Sequence, residues 1–439
     1  MLLEINEQNL HEINNPQFKE YAQIYTRINR RFLEQVKAHG LELAPCCPDN
    51  EQAGKLRLQT RNMSFRNNDY SIHSRWLSAA CKACNKGANS ATFYLSLACH
   101  RQCYYCFNPN QEDYAEHTQQ KRDSIKELKR IKQTGGKLSY IALTGGEPLL
   151  YPQETIRFFQ EARSLFPQAH TRLYTSGDLL DKAVLSELQR VRLDEIRFSI
   201  KLEDSLTVRA KVMERVGWAK DSIDGVVVEM PVIPGTLPEM KELLQALNAI
   251  GIAGVNLLEF CFPYHNQQEF QRRGFKLKNP PYKVLYDYWY AGGLPVDQSE
   301  QESLELLTFA AEQNLTIGVH YCSLANKFSG QIFQQNQLAG KSSLIYLSPK
   351  DYFIKTAKVF GKDIQPVVKV LRKQHLTDYE RNEDYQYLEF PVRAISLLKD
   401  VPIEIGISTN IMENRHGEIY RRELKIERVF PQEFQMDMV

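Results

Sequence analysis

The chain has 439 residues, which at about 150 residues per domain allows two to three domains or one large enzyme core with appendages. Its 43% hydrophobic and 25% charged residues, with only 22 Gly and 19 Pro, exclude disordered and collagen-like chains. Lys and Arg (55) nearly balance Asp and Glu (53), so a net charge of +2 indicates neither a nucleic-acid partner nor binding to an anionic membrane. The N-terminal residues lack the order of a secretory peptide, and no apolar run reaches the roughly 18 residues of a membrane span. We therefore expect a cytoplasmic protein that does not span a membrane.

The first predicted element is an amphipathic helix over residues 17–39. Apolar residues recur there at three- and four-residue spacing, Asn15 and Pro16 precede the segment, and Gly40 follows it. Residues 46–90 are irregular and contain two pairs of cysteines. We treat residues 1–90 as an N-terminal helical and cysteine-containing extension.

From residue 91 onward, short β-branched or aromatic runs alternate with helical segments. The runs predicted as strands are residues 91–98, 138–144, 170–175, 195–201, 225–232, 254–260 and 316–322. Such alternation is typical of parallel strands joined by right-handed crossovers, in an open sheet or a partial (β/α) barrel. The sequence therefore predicts an α/β fold, with a partial (β/α)6-type TIM barrel over residues 91–344.

The C-terminal residues 345–439 have a different pattern. A helical segment is predicted over residues 350–374, followed by strand-like runs at 387–397, 403–411 and 418–429. We expect this region to form a small α+β appendage.

Cysteine usage is the strongest functional signal, because seven of the nine cysteines lie in the first quarter of the chain. An odd count without a secretion signal favours reduced thiols that bind metal or do chemistry. Cys99, Cys103 and Cys106 form a C-x3-C-x2-C pattern directly after the first predicted barrel strand. Three thiolates can hold three corners of a [4Fe-4S] cube and leave one iron open. The alternative is a zinc site completed by His100 or a distant cysteine, although zinc usually takes two C-x2-C pairs.

A second motif, Thr-Gly-Gly-Glu-Pro-Leu at residues 144–149, follows the second predicted strand. In barrels the chemistry gathers at the C-terminal ends of the strands, so both motifs lie where cofactor loops belong. Together, the cysteine pattern and this run resemble the radical S-adenosylmethionine (radical SAM) superfamily over roughly residues 80–330. The resemblance implies that Cys99, Cys103 and Cys106 bind the cluster and that the amino and carboxylate groups of SAM chelate the open iron.

The resemblance also implies which residues contact SAM. These are Tyr105 beside the adenine, Gly145, Gly146 and Glu147 at the amino group, and Ser176 and Ser199 at the ribose or carboxylate. Capping of the following helices is an equally open role for the two serines.

A further metal site is indicated by Cys81 and Cys84, a C-x2-C pair 15 residues before Cys99. Cys46, Cys47 and Cys322 are the candidates for its remaining ligands. An auxiliary iron–sulfur cluster is one interpretation and zinc is another. Burial of free structural thiols is the alternative to both.

The activity that the resemblance implies is reductive cleavage of SAM to a 5′-deoxyadenosyl radical, which abstracts hydrogen from a substrate. We expect a small-molecule or lipid-like substrate, an electron donor such as flavodoxin or ferredoxin, and no nucleic-acid partner. Cys261, after the sixth predicted strand, is the candidate hydrogen-atom donor, and Asn256, Glu259 and His265 are candidate groups on the substrate side. Modification of a peptide or protein, and metal binding without catalysis, are the alternative functions.

Overall fold

The computed structural model describes residues 2–45, 48–286, 293–340 and 342–439. The chain divides into two compact units. The larger unit comprises the described parts of Leu41–Pro281 and Trp289–Phe328. The smaller unit comprises the described parts of Met1–Gly40, Tyr282–Tyr288 and Ser329–Val439.

The α-helices of the described residues vary from one and a half turns to more than six. They are α1 Pro16–Ala38, α2 Pro48–Gln59, α3 Ala79–Cys84, α4 Tyr114–Gln119, α5 Ser124–Gln133, α6 Pro152–Leu165, α7 Lys182–Arg190, α8 Leu206–Lys220, α9 Leu237–Ile250, α10 Gln267–Arg272, α11 Ser299–Glu312, α12 Leu324–Asn336 and α13 Ile364–Lys373. Within the part of the chain that the structure describes, none of them is both long and apolar enough to cross a lipid bilayer.

The strands belong to three separate sheets. They are β1 Leu3–Glu4, β2 Ser64–Arg66, β3 Ser71–Ser74, β4 Ser90–Tyr94, β5 Tyr140–Thr144, β6 His170–Thr175, β7 Glu195–Phe198, β8 Gly225–Val232, β9 Gly254–Glu259, β10 Cys261–Phe262, β11 Leu294–Pro295, β12 Gly318–Cys322, β13 Tyr346–Leu347, β14 Ile354–Phe360, β15 Glu380–Asn382, β16 Tyr387–Phe390, β17 Ile405–Arg415 and β18 Glu418–Val429.

The larger unit is built around a nine-stranded sheet in the order β2-β3-β12-β9-β8-β7-β6-β5-β4. Strands β4 to β9 pair in parallel in chain order, and β12 adds a seventh parallel strand beside β9. Strands β3 and β2 extend the sheet in the antiparallel sense. The predicted α/β class is confirmed. Among the described residues the sheet does not close on itself, which is consistent with the predicted partial barrel.

The two faces of this sheet differ in polarity, because successive side chains of a strand point to opposite sides. One face packs against the helices with buried apolar residues such as Leu143, Leu173, Ile196, Val228 and Leu257. Each large apolar side chain buried there contributes about 1.5–3 kcal/mol, so this face fixes the register of the strands. The other face is polar and carries Arg172, Tyr174, Glu195, Arg197, Glu229, Asn256 and His320, which align from strand to strand.

The smaller unit contains a seven-stranded antiparallel sheet in the order β1-β18-β17-β14-β16-β15, with β13 paired to β14. Helix α13 packs on this sheet through Val367 and Leu371. The predicted N-terminal helix is present as α1, and its N-cap Asn15 accepts a hydrogen bond from the Phe18 amide at 3.1 Å. Phe18 stacks on Phe360 of β14 with ring centroids 4.7 Å apart.

The predicted helix over residues 350–374 is wrong in its first half. Residues 354–360 form β14, and the α-helix begins only at Ile364. The strand has the sequence IKTAKVF, in which the buried Lys355, Thr356 and Lys358 interrupt the apolar run by which a fully buried strand is recognised. Similarly, the strand predicted over residues 387–397 ends at Phe390, because Pro391 precedes a 3₁₀ helix at Val392–Leu398.

The two units divide the chain differently from the sequence-based boundaries at residues 90 and 344. The apolar stripe of α1 contributes to the core of the smaller unit, together with Phe360 and Ile426. Residues 41–90 belong to the larger unit, where β3 pairs with β12. Both associations join segments more than 200 residues apart, and local periodicity carries no information about such contacts.

Candidate functional site

The loop after β4 brings together the three cysteines of the C-x3-C-x2-C pattern. Cys99, Cys103 and Cys106 are free thiols; Cys99 is exposed and the other two are half-buried. Burial raises the pKa of each thiol, to about 11 for Cys103, whereas Lys201 after β7 acts in the opposite direction on all three. The thiols interact electrostatically with one another. This donor set fits a [4Fe-4S] cluster, which takes cysteine thiolates as ligands.

Ion pairs fix this cysteine loop to the loops that follow β6 and β7. Arg101 donates a hydrogen bond to Asp204 at 2.9 Å and lies 3.0 Å from Asp178. The Nε2 atom of His100 lies 2.8 Å from the same carboxylate oxygen of Asp178. Burial would raise the pKa of Asp178, but the hydrogen bonds from Ser176 and His100 and the charge of Arg101 outweigh it and lower that pKa. Asp178 is therefore an ionised anchor for the loop.

The glycines of the second motif lie directly beside the start of the cysteine loop. The amide of Gly146 donates to the carbonyl of Ser96 at 3.0 Å, and the amide of Glu147 donates to that of Ala98 at 2.9 Å. A Cβ atom on Gly146 would overlap the carbonyl oxygen of Ala98, and Gly145 has a φ of +115°, which side chains rarely allow. Only glycine lets the two segments come this close.

Glu147 is buried, and its carboxylate is occupied by groups at the end of β6. It accepts hydrogen bonds from Thr175 Oγ1 at 2.8 Å and from the amide of Ser176 at 2.7 Å, and Ser176 Oγ lies 2.6 Å away. The amide of Leu149 donates to it at 3.0 Å. The side chain of Glu147 thus holds β5 and β6 together, and the carbonyl of Gly145 accepts a hydrogen bond from Asn108 Nδ2 at 2.6 Å.

The other residues assigned to SAM lie at the same edge of the sheet. Ser199 follows β7, and its amide donates to the carbonyl of Thr175 at 3.0 Å. The ring of Tyr105 is 4.9 Å from that of Tyr104 and 5.7 Å from that of Phe260, centroid to centroid. Burial raises the pKa of Tyr105 far above its usual value. Tyr105 is therefore a neutral aromatic group fixed by its neighbours.

The candidate groups after β9 have different surroundings. His265 Nε2 lies 2.6 Å from the carbonyl oxygen of Cys106, so this side chain supports the cysteine loop. Glu259 is buried and accepts a hydrogen bond from the amide of Leu324 at 2.7 Å. Cys261 lies on β10, and burial raises its pKa to about 11. A protonated thiol of this kind has a hydrogen atom to donate.

The second set of cysteines lies on the polar face of the sheet. Helix α3 carries Cys81 and Cys84, and Cys81 Sγ accepts from Arg197 Nη2 at 3.3 Å and from Asn256 Nδ2 at 3.6 Å. Burial raises the pKa of Cys322 to about 12, and both α3 cysteines act on it electrostatically. The remaining candidates, Cys46 and Cys47, lie outside the described residues.

Within the described ranges, no three or more Cys, His, Asp or Glu side chains are placed to hold one metal ion. Ligands of a four-iron cube bind different irons and need not converge on one point.

Several charged residues on the polar face were missed by the sequence analysis. Glu195 accepts from Arg197 Nε and from Ser78 Oγ, both at 2.5 Å. Burial would raise the pKa of Glu195, but Arg197, His170 and Ser78 outweigh it and lower the pKa to about 2. Charged residues within otherwise apolar strand runs, such as Arg197 in EIRFSI, were the signal that could have identified this network.

Comparison with known proteins agrees with this geometry. Residues 93–247, which contain both motifs, match the model of the radical SAM superfamily. This segment is a radical SAM domain. The chain is also 29% identical, over 216 residues, to a Methanocaldococcus jannaschii protein named "Putative glycyl-radical enzyme activating enzyme". That match covers 46% of this chain and 55% of the relative, so the chain spans about half the length of the curated relative.

Solved structures similar to this chain include two of SuiB from Streptococcus suis. The structure bound to S-adenosylmethionine has a TM-score of 0.40 and 13% identity, and the match covers 70% of this chain and 62% of SuiB. The structure bound to the precursor peptide SuiA has a TM-score of 0.33 and 14% identity over 54% of this chain and 52% of SuiB. These likenesses are distant, and the strands described above establish the fold by themselves.

Proposed function

We propose that the protein is a radical SAM enzyme that binds a [4Fe-4S] cluster through Cys99, Cys103 and Cys106. The observation that carries the proposal is the pairing of the glycine motif with the start of the cysteine loop, where the amides of Gly146 and Glu147 donate to the carbonyls of Ser96 and Ala98 at the C-terminal edge of a parallel sheet. When bound there, the cluster supplies the electron that splits SAM into methionine and a 5′-deoxyadenosyl radical, which abstracts hydrogen from a substrate.

The residues around the cysteine loop have supporting roles in this proposal. Lys201 favours the thiolate form of all three cysteines, which is the form that binds iron. The backbone of Gly145 and Gly146 would hold the SAM amino group, and Glu147 would hold that backbone in place through Ser176. Tyr105 and Ser199 would contact the adenine and ribose. Electrons would come from a flavodoxin or ferredoxin.

Substitution of the cluster ligands tests this assignment. A Cys103→Ala variant, reconstituted without oxygen, should lose the iron of this site and form no 5′-deoxyadenosine from SAM and dithionite. Cys261→Ala is the matched control, because it removes a thiol of the same unit that the proposal does not place at the cluster. If the Cys103 variant still formed 5′-deoxyadenosine at the wild-type rate, the ligand assignment would be wrong.

The substrate that we propose is a small or lipid-like molecule, with Cys261 as a donor of a hydrogen atom to the substrate radical. The Cys261 thiyl radical left by this step would regain one electron from the flavodoxin or ferredoxin and one proton from solvent. Cys261→Ala should then retain SAM cleavage but lose formation of the final product. Incubation with candidate substrates in deuterated solvent provides the readout, because a thiol exchanges its hydrogen with solvent and would pass deuterium to the product. A product without deuterium would exclude Cys261 from this step.

Protein modification is the second candidate, favoured by the name of the Methanocaldococcus jannaschii relative. A protein that activates a glycyl-radical enzyme would act on a partner protein rather than on a small molecule. Electron paramagnetic resonance distinguishes the two candidate functions. A glycyl-radical enzyme is mixed with this protein, SAM and dithionite, and the spectrum is recorded. A stable glycyl radical would favour this candidate, and its absence, together with turnover of a small molecule, would favour the first.

A second metal centre at Cys81 and Cys84, with Cys322 as a further ligand, is also proposed. Cys81 and Cys84 lie on the same short helix, α3, and both act electrostatically on Cys322, which supports it. An iron–sulfur cluster would raise the iron content from about four to about eight per chain, whereas zinc would leave it at about four. A Cys81→Ala, Cys84→Ala double variant that retained all of the metal would rule the centre out.

A further inference from the structure

Exposed hydrophobic side chains gather at the edge of the larger sheet where its parallel strands end. Five of the seven large hydrophobic side chains that are exposed in the described part of the larger unit lie there. These five residues, which we call the rim, are Phe107, Leu150, Leu179, Leu206 and Tyr264, and they follow β4, β5, β6, β7 and β10, respectively. Single exposed hydrophobic residues are ordinary on a protein surface, but five at one edge of a sheet indicate a surface that binds a partner.

Two rim residues lie on loops that are tied to the cysteine loop by charge. Leu179 directly follows Asp178, and Leu206 lies two residues beyond Asp204. Both carboxylates pair with Arg101 of the cysteine loop, at 3.0 Å and 2.9 Å. Leu206 is the most exposed residue of the rim, at 76%.

Two more rim residues lie at the other side of the same loop. Phe107 directly follows the candidate cluster ligand Cys106. Tyr264 follows Pro263, whose carbonyl accepts a hydrogen bond from Asn110 Nδ2 at 2.7 Å. The rim therefore lies around the cysteine loop, and a partner that covered the rim would also cover the candidate SAM site.

The charges exposed in these connections are all negative. In residues 95–113, 145–151, 176–181, 199–205 and 263–266, the exposed Asp, Glu, Lys and Arg residues are Glu112, Asp113, Asp181 and Glu203. The basic residues of the same segments, Arg101 and Lys201, are partly buried, and Arg101 already pairs with two carboxylates. A partner that fits this edge is therefore hydrophobic in part and positively charged in part.

This combination of features selects among the possible occupants of the rim. An anionic bilayer, a nucleic acid or an acidic electron-transfer protein would bring negative charge against the four exposed carboxylates. A polypeptide in which Lys or Arg stands beside hydrophobic side chains complements both the rim and the carboxylates.

We propose that the rim binds a basic, partly hydrophobic segment of a polypeptide substrate. Hydrophobic side chains of the segment would cover the rim, and its Lys or Arg side chains would lie against the exposed carboxylates. The inference rests on the protein-modification candidate of the proposed function, and it names the chemistry of the partner on which the protein would act.

Binding of two synthetic peptides to the reconstituted full-length protein tests the inference. The peptides have equal length and the same Leu and Phe positions, and the other positions are Lys in one peptide and Glu in the other. Fluorescence anisotropy at an ionic strength of about 0.15 M gives the dissociation constants. We expect the Lys peptide to bind about tenfold more tightly than the Glu peptide, or more.

Substitutions at the rim should weaken binding of the Lys peptide. A Glu112→Lys, Glu203→Lys double variant reverses two of the exposed charges, and its dissociation constant should rise about tenfold. A Leu179→Ser, Leu206→Ser double variant removes two rim side chains and should have a similar effect.

Matched control variants carry the same kinds of substitution elsewhere in the larger unit. Glu214→Lys, Glu242→Lys changes two exposed acidic residues of α8 and α9, and Leu56→Ser changes an exposed leucine of α2. Neither control should alter the dissociation constant of the Lys peptide.

Three results would overturn the inference. The first is a Lys peptide that binds no more tightly than the Glu peptide. The second is an equal loss of binding in the control and rim variants, which would indicate attraction to the whole surface. The third is co-sedimentation of the protein with anionic phosphatidylglycerol vesicles that the Lys peptide does not displace, which would indicate a membrane as the occupant.

Peptide binding is measured without SAM, so each of these results can occur while 5′-deoxyadenosine is still produced. Conversely, a protein that bound the Lys peptide at the rim but left SAM intact would contradict the proposed SAM chemistry and not the binding surface. Failure of the inference is therefore distinguishable from failure of the proposed function.

Discussion

Arg101 and Asp178 form an ion pair, 3.0 Å long, between the cysteine loop and the loop after β6. Both side chains are less than one-fifth exposed, so solvent screens the pair less than it would at the surface. Asp178 also lies 2.6 Å from Ser176 Oγ, which in turn contacts Glu147. A continuous series of contacts therefore joins the cysteine loop to the glycine motif. Loss of any one of these contacts should weaken the attachment of the loop to the motif.

Asp178→Asn is expected to destabilise the protein by about 1–3 kcal/mol, because it removes the charge that holds both Arg101 and His100. Glu187→Gln is the matched control, since its partner Arg190 is exposed, and it should change stability by less than about 0.5 kcal/mol. Urea unfolding of the metal-free protein measures both. Equal effects of the two substitutions would show that the Arg101–Asp178 pair has no special role.

Gly146→Ala is expected to abolish SAM binding. Its Cβ atom would overlap the backbone of Ala98, so the glycine motif and the cysteine loop would have to separate. Gly217→Ala in α8 is the control, because nothing lies within 4 Å of the added atom, and it should stabilise the helix by up to about 1 kcal/mol. Equilibrium dialysis with labelled SAM is the measurement. Wild-type affinity in the Gly146 variant would contradict the close approach described here.

Glu147→Gln should weaken SAM binding without removing the cluster. The amide can accept through only one of its two terminal atoms, so at least one of the hydrogen bonds from Thr175, Ser176 and Leu149 is lost. Iron content should stay at the wild-type value while the dissociation constant for SAM rises about tenfold, equivalent to about 1.4 kcal/mol. Loss of iron in this variant would instead place Glu147 at the cluster.

The buried carboxylate of Glu300 should make stability depend on pH. Burial would raise its pKa, but Lys278 and Lys55 outweigh it and lower the pKa from 4.5 to about 2. A lowered pKa stabilises the fold above the unfolded-state value, and this contribution is lost as the pH falls from about 4.5 towards about 2. The free energy of unfolding of the wild type should thus exceed that of Glu300→Gln by on the order of 3 kcal/mol near neutral pH, and this difference should shrink in acid.

Glu312→Gln is the control for that pH dependence, because Glu312 is half-exposed on the same helix and pairs with Arg61. Urea unfolding of the metal-free proteins between about pH 3 and about pH 7 provides the comparison. A difference between wild type and Glu300→Gln that stayed constant over this range would contradict the lowered pKa.

Much of the parallel sheet could be predicted from the sequence, because each parallel strand is a short apolar run between helices. All seven predicted runs contain a strand of the sheet. The site motifs were also visible, since Cys99, Cys103 and Cys106 are close in sequence. The residues that hold the cysteine loop in place were not visible, because Asp178 and Asp204 contact Arg101 from loops that are 77 and 103 residues away. The strand β14 escaped detection for a different reason, since its sequence, IKTAKVF, is neither an apolar run nor a strict alternation of polar and apolar residues.

In the proposed function, the three cysteines after β4 hold a cluster that splits SAM. The most direct test is to reconstitute the purified chain with iron and sulfide under anaerobic conditions, add SAM and dithionite, and quantify 5′-deoxyadenosine and methionine by mass spectrometry. We expect both products in equal amounts, and neither in Cys103→Ala. A protein that contained zinc at these cysteines and left SAM intact would contradict the account.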